Sequence, residues 1–163
     1  MSANKRPRKP YVSKPVARAG GLAAISANLH DRIMLSKLPP ERQTNLVVSY
    51  HTSIDAMLDG RAEDNHFDSI VYALNVGLIL AERGLGDQFL HLLEPALAAM
   101  HRVKRRHAER GKYLLDGDGL AAVKAVADLH RAQMEVATHQ ELCDAITEMH
   151  KRVPTAQLVG LVA

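Results

Sequence analysis

Cysteine is almost missing from this chain: Cys143 is the only one in 163 residues. A single thiol excludes an intramolecular disulfide and a C-x-x-C metal pair. Long hydrophobic runs are missing too. The most apolar stretch, IVYALNVGLILA at 70 to 81, carries Asn75 and falls short of the ~20 residues a membrane-spanning helix requires. GGLAAISA, near the N-terminus, is too short and too weakly apolar for the core of a signal peptide. These features set the expectation of a cytoplasmic protein with no membrane attachment. No window alternates apolar and polar residues with the period of a strand, and no repeat is visible, so sheets and solenoids are not expected. Acidic residues are missing from residues 1 to 19, and only Glu109 interrupts the cations of residues 101 to 112.

The residues that are present read as helices. Residues 1 to 19 hold Pro7, Pro10 and Pro15 among Lys5, Arg6, Arg8, Lys9, Lys14 and Arg18. Proline at that spacing forbids a continuous helix or a central strand, so a disordered basic arm is expected. From residue 22 to about 37, Leu22, Ile25, Leu29 and Ile33 recur at three and four residues and form one helical stripe. Pro39 and Pro40 end that helix, and Pro40 fits the first turn of the next, with Leu46, Val47, Tyr50, Ile54, Met57 and Leu58 as its buried face.

Asp64 is expected to cap DNHFDSIVYALNVGLILAER, whose apolar residues surround nearly the whole circumference and mark a central helix. GLGD at 84 to 87 ends it and starts a further helix carrying Phe89, Leu93, Ala96, Met100 and Val103, which Pro95 should kink or split. Gly111 ends that one. A last helix should start at Asp116 or Asp118 and run unbroken to about Arg152, a length of roughly 50 Å, until Pro154. The expectation is an all-α protein: a basic arm (1–19), a single helical bundle of about five helices with a long C-terminal helix (20–153), and an apolar tail, PTAQLVGLVA, from Pro154 to residue 163. A chain of this length withdraws roughly 70% of its unfolded surface from water without staples.

Charge is the strongest functional signal. The arm holds six cations, and HRVKRRHAERGK at 101 to 112 holds Arg102, Lys104, Arg105, Arg106, Arg110 and Lys112 against Glu109. Removing these twelve cations and one acid from the totals of 21 and 18 leaves nine cations against 17 acids. Such segregation is the electrostatic layout of a phosphate-binding surface, and also that of a solvated helix face. On a helical wheel Arg102, Arg105 and Arg106 fall opposite Met100 and face outward, whereas Lys104 and His107 fall toward the apolar stripe. Without interleaved aromatics or helix-turn-helix spacing, any nucleic-acid binding is expected to run through the backbone with little sequence preference.

Other chemistry is less specified. Glu135, His139, Cys143 and His150 share an arc of the expected last helix at spacings of 4, 4 and 7, a ligand set for a metal if that helix is continuous. His130, beside Met134 on the apolar stripe, reads as a hydrogen-bonded core histidine. His51 and Asp55 have the spacing of a base and its orienting carboxylate, but no nucleophile is specified. DGDGL lacks the ligands of a calcium loop, and GLG follows a helix rather than a strand, so both are capping turns. No enzyme activity and no cofactor is expected.

HTSIDAMLDGRAEDNHFDSIVYALNVGLILAERGLG, the arginine-rich stretch ending at Gly111, HRAQMEVATHQEL and the basic start KRPRKPYVSKPV together resemble small helical proteins carried by bacteriophages and prophages. The resemblance implies an accessory protein acting in a bacterial cell and transfers no catalytic residue or ligand. The leading expectation is binding of nucleic acid or a nucleoprotein complex through Lys5, Arg6, Arg8, Lys9, Arg102, Arg105, Arg106 and Arg110. The alternative is a module that binds and modulates a host bacterial protein, and a metal-binding helical protein is a third reading. A homodimer that exchanges its ends fits the long last helix and apolar tail, and the closing Leu-Val-Ala also resembles a bacterial turnover signal.

Overall fold

The computed structural model describes residues 26, 27, 29–155 and 158. The chain divides into two units, residues 1–33 and 34–163. Of the first, the described residues are helical. The basic arm, Leu22, Ile25 and residues 159–163 lie outside the described residues, as do Lys5, Arg6, Arg8 and Lys9.

The second unit is built from five α-helices: α1 (Pro40–Leu58), α2 (Asp64–Glu82), α3 (Leu90–Arg110), α4 (Gly117–Val136) and α5 (His139–Arg152). Two single 3-10 turns, Asp87–Phe89 and Val153–Thr155, precede α3 and follow α5. Among the described residues there is no strand, only one isolated antiparallel bridge between Lys37 and Thr138. No described helix is long and apolar enough to cross a membrane.

The central position of α2 follows from its composition. Eleven of its 19 residues are buried, distributed all round the helix, so every side needs cover. The other four helices supply it, each packing against α2. Phe67, Ile70, Leu74, Ile79 and Leu80 meet Ile54 and Met57 of α1, Leu93 and Met100 of α3, Met134 of α4 and Met149 of α5 in one continuous core. Leu158 of the apolar tail is also buried in this core.

The residues that start and stop these helices differ in detail from those expected. Glu63, one residue before Asp64, caps α2: its carboxylate accepts from the His66 backbone while His66 Nδ1 accepts from the Glu63 N–H at 3.1 Å. Pro95 does not split α3. It stands in the second turn, where the carbonyl deprived of a donor belongs to exposed His91 and is open to water. Leu46 and Leu58 are exposed rather than buried, because the first half of α1 carries no buried residue before Tyr50 and Leu58 is its last residue.

The largest departure is at the last helix, which is two helices. Ala137 and Thr138 take extended backbone between α4 and α5. Thr138 Oγ1 accepts from the Glu141 N–H at 3.2 Å and Glu141 Oε2 accepts from the Thr138 N–H at 2.7 Å, a reciprocal cap. The His139 N–H donates to the Ser36 carbonyl at 2.8 Å. The segment ahead of α1 therefore supplies backbone partners at the break, and the chain can leave the helix without stranding polar groups.

A buried polar group locks α4 onto α2. Gln133 Nε2 donates to the Gly77 carbonyl at 2.9 Å and the Leu85 carbonyl at 2.8 Å, and His130 Nδ1 donates to Gln133 Oε1 at 3.3 Å. Gly77 makes this approach feasible, since a Cβ there would sit 3.2 Å from Gln133 Oε1. His130 is the hydrogen-bonded core histidine the sequence suggests, 3% exposed and tilted against the Tyr50 ring. Burial pushes its pKa down to about 4, against a smaller upward pull from the Gln133 hydrogen bond.

The folded-state pKa of His130 thus lies below its ordinary value of 6.5. Between those values the unfolded chain binds a proton that the folded chain refuses, so stability is complete above about pH 6.5 and falls as the pH drops toward 4. Urea titrations across pH 4 to 7.5 should show this chain losing up to about 1.4 kcal/mol per pH unit more than His130→Gln in that window. Parallel curves for the two proteins would refute a neutral, buried His130.

Candidate nucleic-acid interface

After Val103 no residue of α3 is fully buried, and its last two turns carry Lys104, Arg105, Arg106, His107 and Arg110. Gly111 ends the helix in the left-handed conformation, φ 68°, with its N–H donating to the His107 carbonyl at 2.7 Å. The chain then returns within a few residues to Asp116, which caps α4 by accepting from the Gly119 N–H at 2.7 Å.

This return changes the role of two of the four arginines. Arg102 and Arg106, one turn apart on α3, face the Asp116 carboxylate. Arg102 Nε donates to Oδ2 at 3.2 Å and its Nη2 to Oδ1 at 3.3 Å. Arg106 Nη2 donates to Asp116 Oδ2, and Arg106 Nη1 donates to the Leu114 carbonyl at 2.7 Å. Both guanidiniums are half-buried rather than presented freely to water. The hydrogen bonds from Arg102, then Arg106, then the Gly119 N–H hold the Asp116 carboxyl well below the usual carboxylate range.

Arg105 points the other way. Its side chain is 71% exposed and lies 3.9 Å from Glu109 at the next turn, a contact worth little in water. His101, Arg110 and Lys112 are also exposed. Of the four arginines expected to act together, the structure leaves Arg105 and Arg110 at the surface and commits Arg102 and Arg106 to the α3–α4 connection.

Beside this helix end lies an open cleft of about 520 Å³, lined by Glu63, Asp64, Asn65, His107, Gly111 and Tyr113. His107 stacks on Tyr113, with ring centroids 3.8 Å apart and planes within 9°. Tyr113 in turn stacks on Phe67 at 5.0 Å and 23°. The Tyr113 hydroxyl donates to Asp64 Oδ1 at 2.7 Å, and burial together with that bond raises its pKa. The lean of His107 toward the core side is legible on the helical wheel, but its partner Tyr113 lies beyond the helix end. The only sequence trace of this neighbourhood is a tyrosine directly after Lys112.

The other candidates are scattered. The helix break places Glu135 on α4 and His139, Cys143 and His150 on α5, so Glu135 no longer shares a helix with the other three. No group of three or more His, Cys, Asp or Glu side chains is placed to hold a metal among the described residues. His51 and Asp55 are exposed on α1 and do not line the cleft.

The chain matches no known family model, and no curated protein or solved structure matches it. The arrangement itself offers exposed cations, a cleft with carboxylate and amide acceptors, and a stacked aromatic column.

The connection at Asp116 should matter for stability. Asp116→Ala removes both the α4 cap and the anchor of two arginines and should lower the unfolding free energy in urea by about 1.5 kcal/mol. Asp116→Asn keeps a capping side chain and should lose less than about 1 kcal/mol. An unchanged midpoint for Asp116→Ala would show that the connection is held by other contacts.

Proposed function

We propose that this chain is a non-catalytic, nucleic-acid-associated accessory protein of the bacteriophage kind, which contacts backbone phosphates through its basic arm and the exposed cations at the end of α3. The observation that carries the reading is charge segregation: two basic blocks on an otherwise acidic chain, one of them on a helix end that leaves the core after Val103. Arg105, Arg110 and Lys112 make the outer contacts. Arg102 and Arg106 stand behind them, shared with Asp116, and a phosphate competes with that carboxylate for the same donors.

A second reading, a module that binds and modulates a host protein, draws on the exposed apolar side chains Leu35, Val48 and Val136 of the second unit. Material captured from bacterial lysate and retained after nuclease treatment would favour it.

Fluorescence anisotropy with labelled single- and double-stranded DNA and RNA tests the leading reading. Affinity should fall with salt by about 0.7 to 0.9 in log–log slope for each phosphate contacted. Replacing Lys5, Arg6, Arg8 and Lys9 by glutamine should flatten the slope, whereas Asp116→Asn, which releases two guanidiniums, should steepen it by up to about 2. Absence of binding at low salt, or affinity indifferent to salt, would sink the proposal.

A further inference from the structure

We propose that the cleft beside the end of α3 holds one unpaired nucleobase of a single strand, stacked on His107, with its amino edge toward Glu63 and Asp64. The inference rests on the nucleic-acid reading and changes its content: binding gains a base-reading component that the backbone contacts lack.

Three observations converge on it. The first is the aromatic column. Phe67 and Tyr113 are buried, while His107 is only partly covered and stands at the surface end. Ring spacings of 5.0 and 3.8 Å with planes tilted by 23° and 9° make this a stack that a further flat ring can extend. Nucleic-acid-binding proteins recruit unpaired bases by such aromatic platforms, because every base has a π-face.

The second is the cleft's size and lining. A volume of about 520 Å³ falls in the range of roughly 300–1,000 Å³ typical of small-ligand sites. Its polar wall is made by acceptors. Asp64 Oδ1 already takes the Tyr113 hydroxyl and the Glu63 carboxylate caps α2, but each carboxylate has acceptor capacity beyond one bond. Acceptors of this kind suit a base that presents an exocyclic amino group, such as cytosine N4, and disfavour a carbonyl at the same place, as in thymine.

The third is the placement of cations. Arg110 and Lys112 are exposed and flank Gly111, which itself lines the cleft with open space where a Cβ would be. A strand whose base enters the cleft brings its neighbouring phosphates to these two side chains, so they offset the repulsion from Glu63 and Asp64.

The test compares short oligo-dC, oligo-dT and an abasic strand of equal length, binding to the full chain at low salt. Oligo-dC should bind several-fold more tightly than the other two. His107→Ala should weaken oligo-dC binding about tenfold and leave the abasic strand unchanged, whereas His107→Phe, which keeps a flat ring, should restore it. A 2-aminopurine in the strand should be quenched on binding to the unaltered chain and to His107→Phe, but not to His107→Ala. Salt-sensitive binding that treats oligo-dC and the abasic strand alike, with the probe unquenched, overturns this inference and leaves the phosphate reading standing. Failure to bind any strand overturns both.

Discussion

Helix α2 must be covered on every side. With eleven of its 19 residues buried, no orientation leaves it a solvent face, and the four remaining helices are arranged around it. Each of those needs only one apolar stripe, so their outer faces are free to carry charge. The hydrophobic requirement of one segment therefore decides where polar chemistry can be displayed. It also bears on how α3 ends: after Val103 no residue of the helix is fully buried, and the last turns divide between side chains held by the α3–α4 connection, Arg106 and His107, and cations such as Arg105 and Arg110 that project into water.

Asp116 is the anion that ties the end of α3 to the start of α4. It caps α4 and gathers the guanidiniums of Arg102 and Arg106, which fixes the short connection between α3 and α4. A protein designed only to bind phosphate would leave those arginines free. Here they are held in place by an anion of the protein's own, an arrangement that keeps the donors ordered and lowers the net positive charge of the helix end. The cleft beside it is governed differently, by aromatic stacking and acceptor groups that salt screens weakly.

Much of the architecture is legible because it depends on local rules. Apolar spacing places α1, α2 and α3, Gly111 and Asp116 mark the α3–α4 connection, and the isolated polar position on an apolar stripe identifies His130 as a core histidine. The break between α4 and α5 is hidden because apolar spacing continues across it and neither glycine nor proline marks it. The signal that does exist is Thr138-His139-Gln140-Glu141, a capping pattern easily overlooked inside a periodic run. Its stability also depends on Ser36, which no local reading could bring there. The same holds for Arg102 and Arg106, whose outward direction on a wheel is right while their partner comes from the next helix. Leu46 looks buried on the stripe of α1 and is not, because a stripe shows direction and not whether a neighbour reaches that far. At the cleft, Tyr113 and His107 are six residues apart and are joined only by the turn at Gly111.

The bridge from Lys37 to Thr138 has a consequence for the order in which the chain can fold. Closing a loop of about 100 residues loses roughly 2.5 kcal/mol more chain entropy than closing the six-residue connection between α3 and α4. The short connections, five residues between α1 and α2 and six between α3 and α4, are therefore much cheaper to close than the clasp between Lys37 and Thr138, which gains from having the intervening helices in place first. Before the clasp closes, the reciprocal cap of Thr138 and Glu141 is the local feature that divides α4 from α5; the clasp then adds the distant backbone partner.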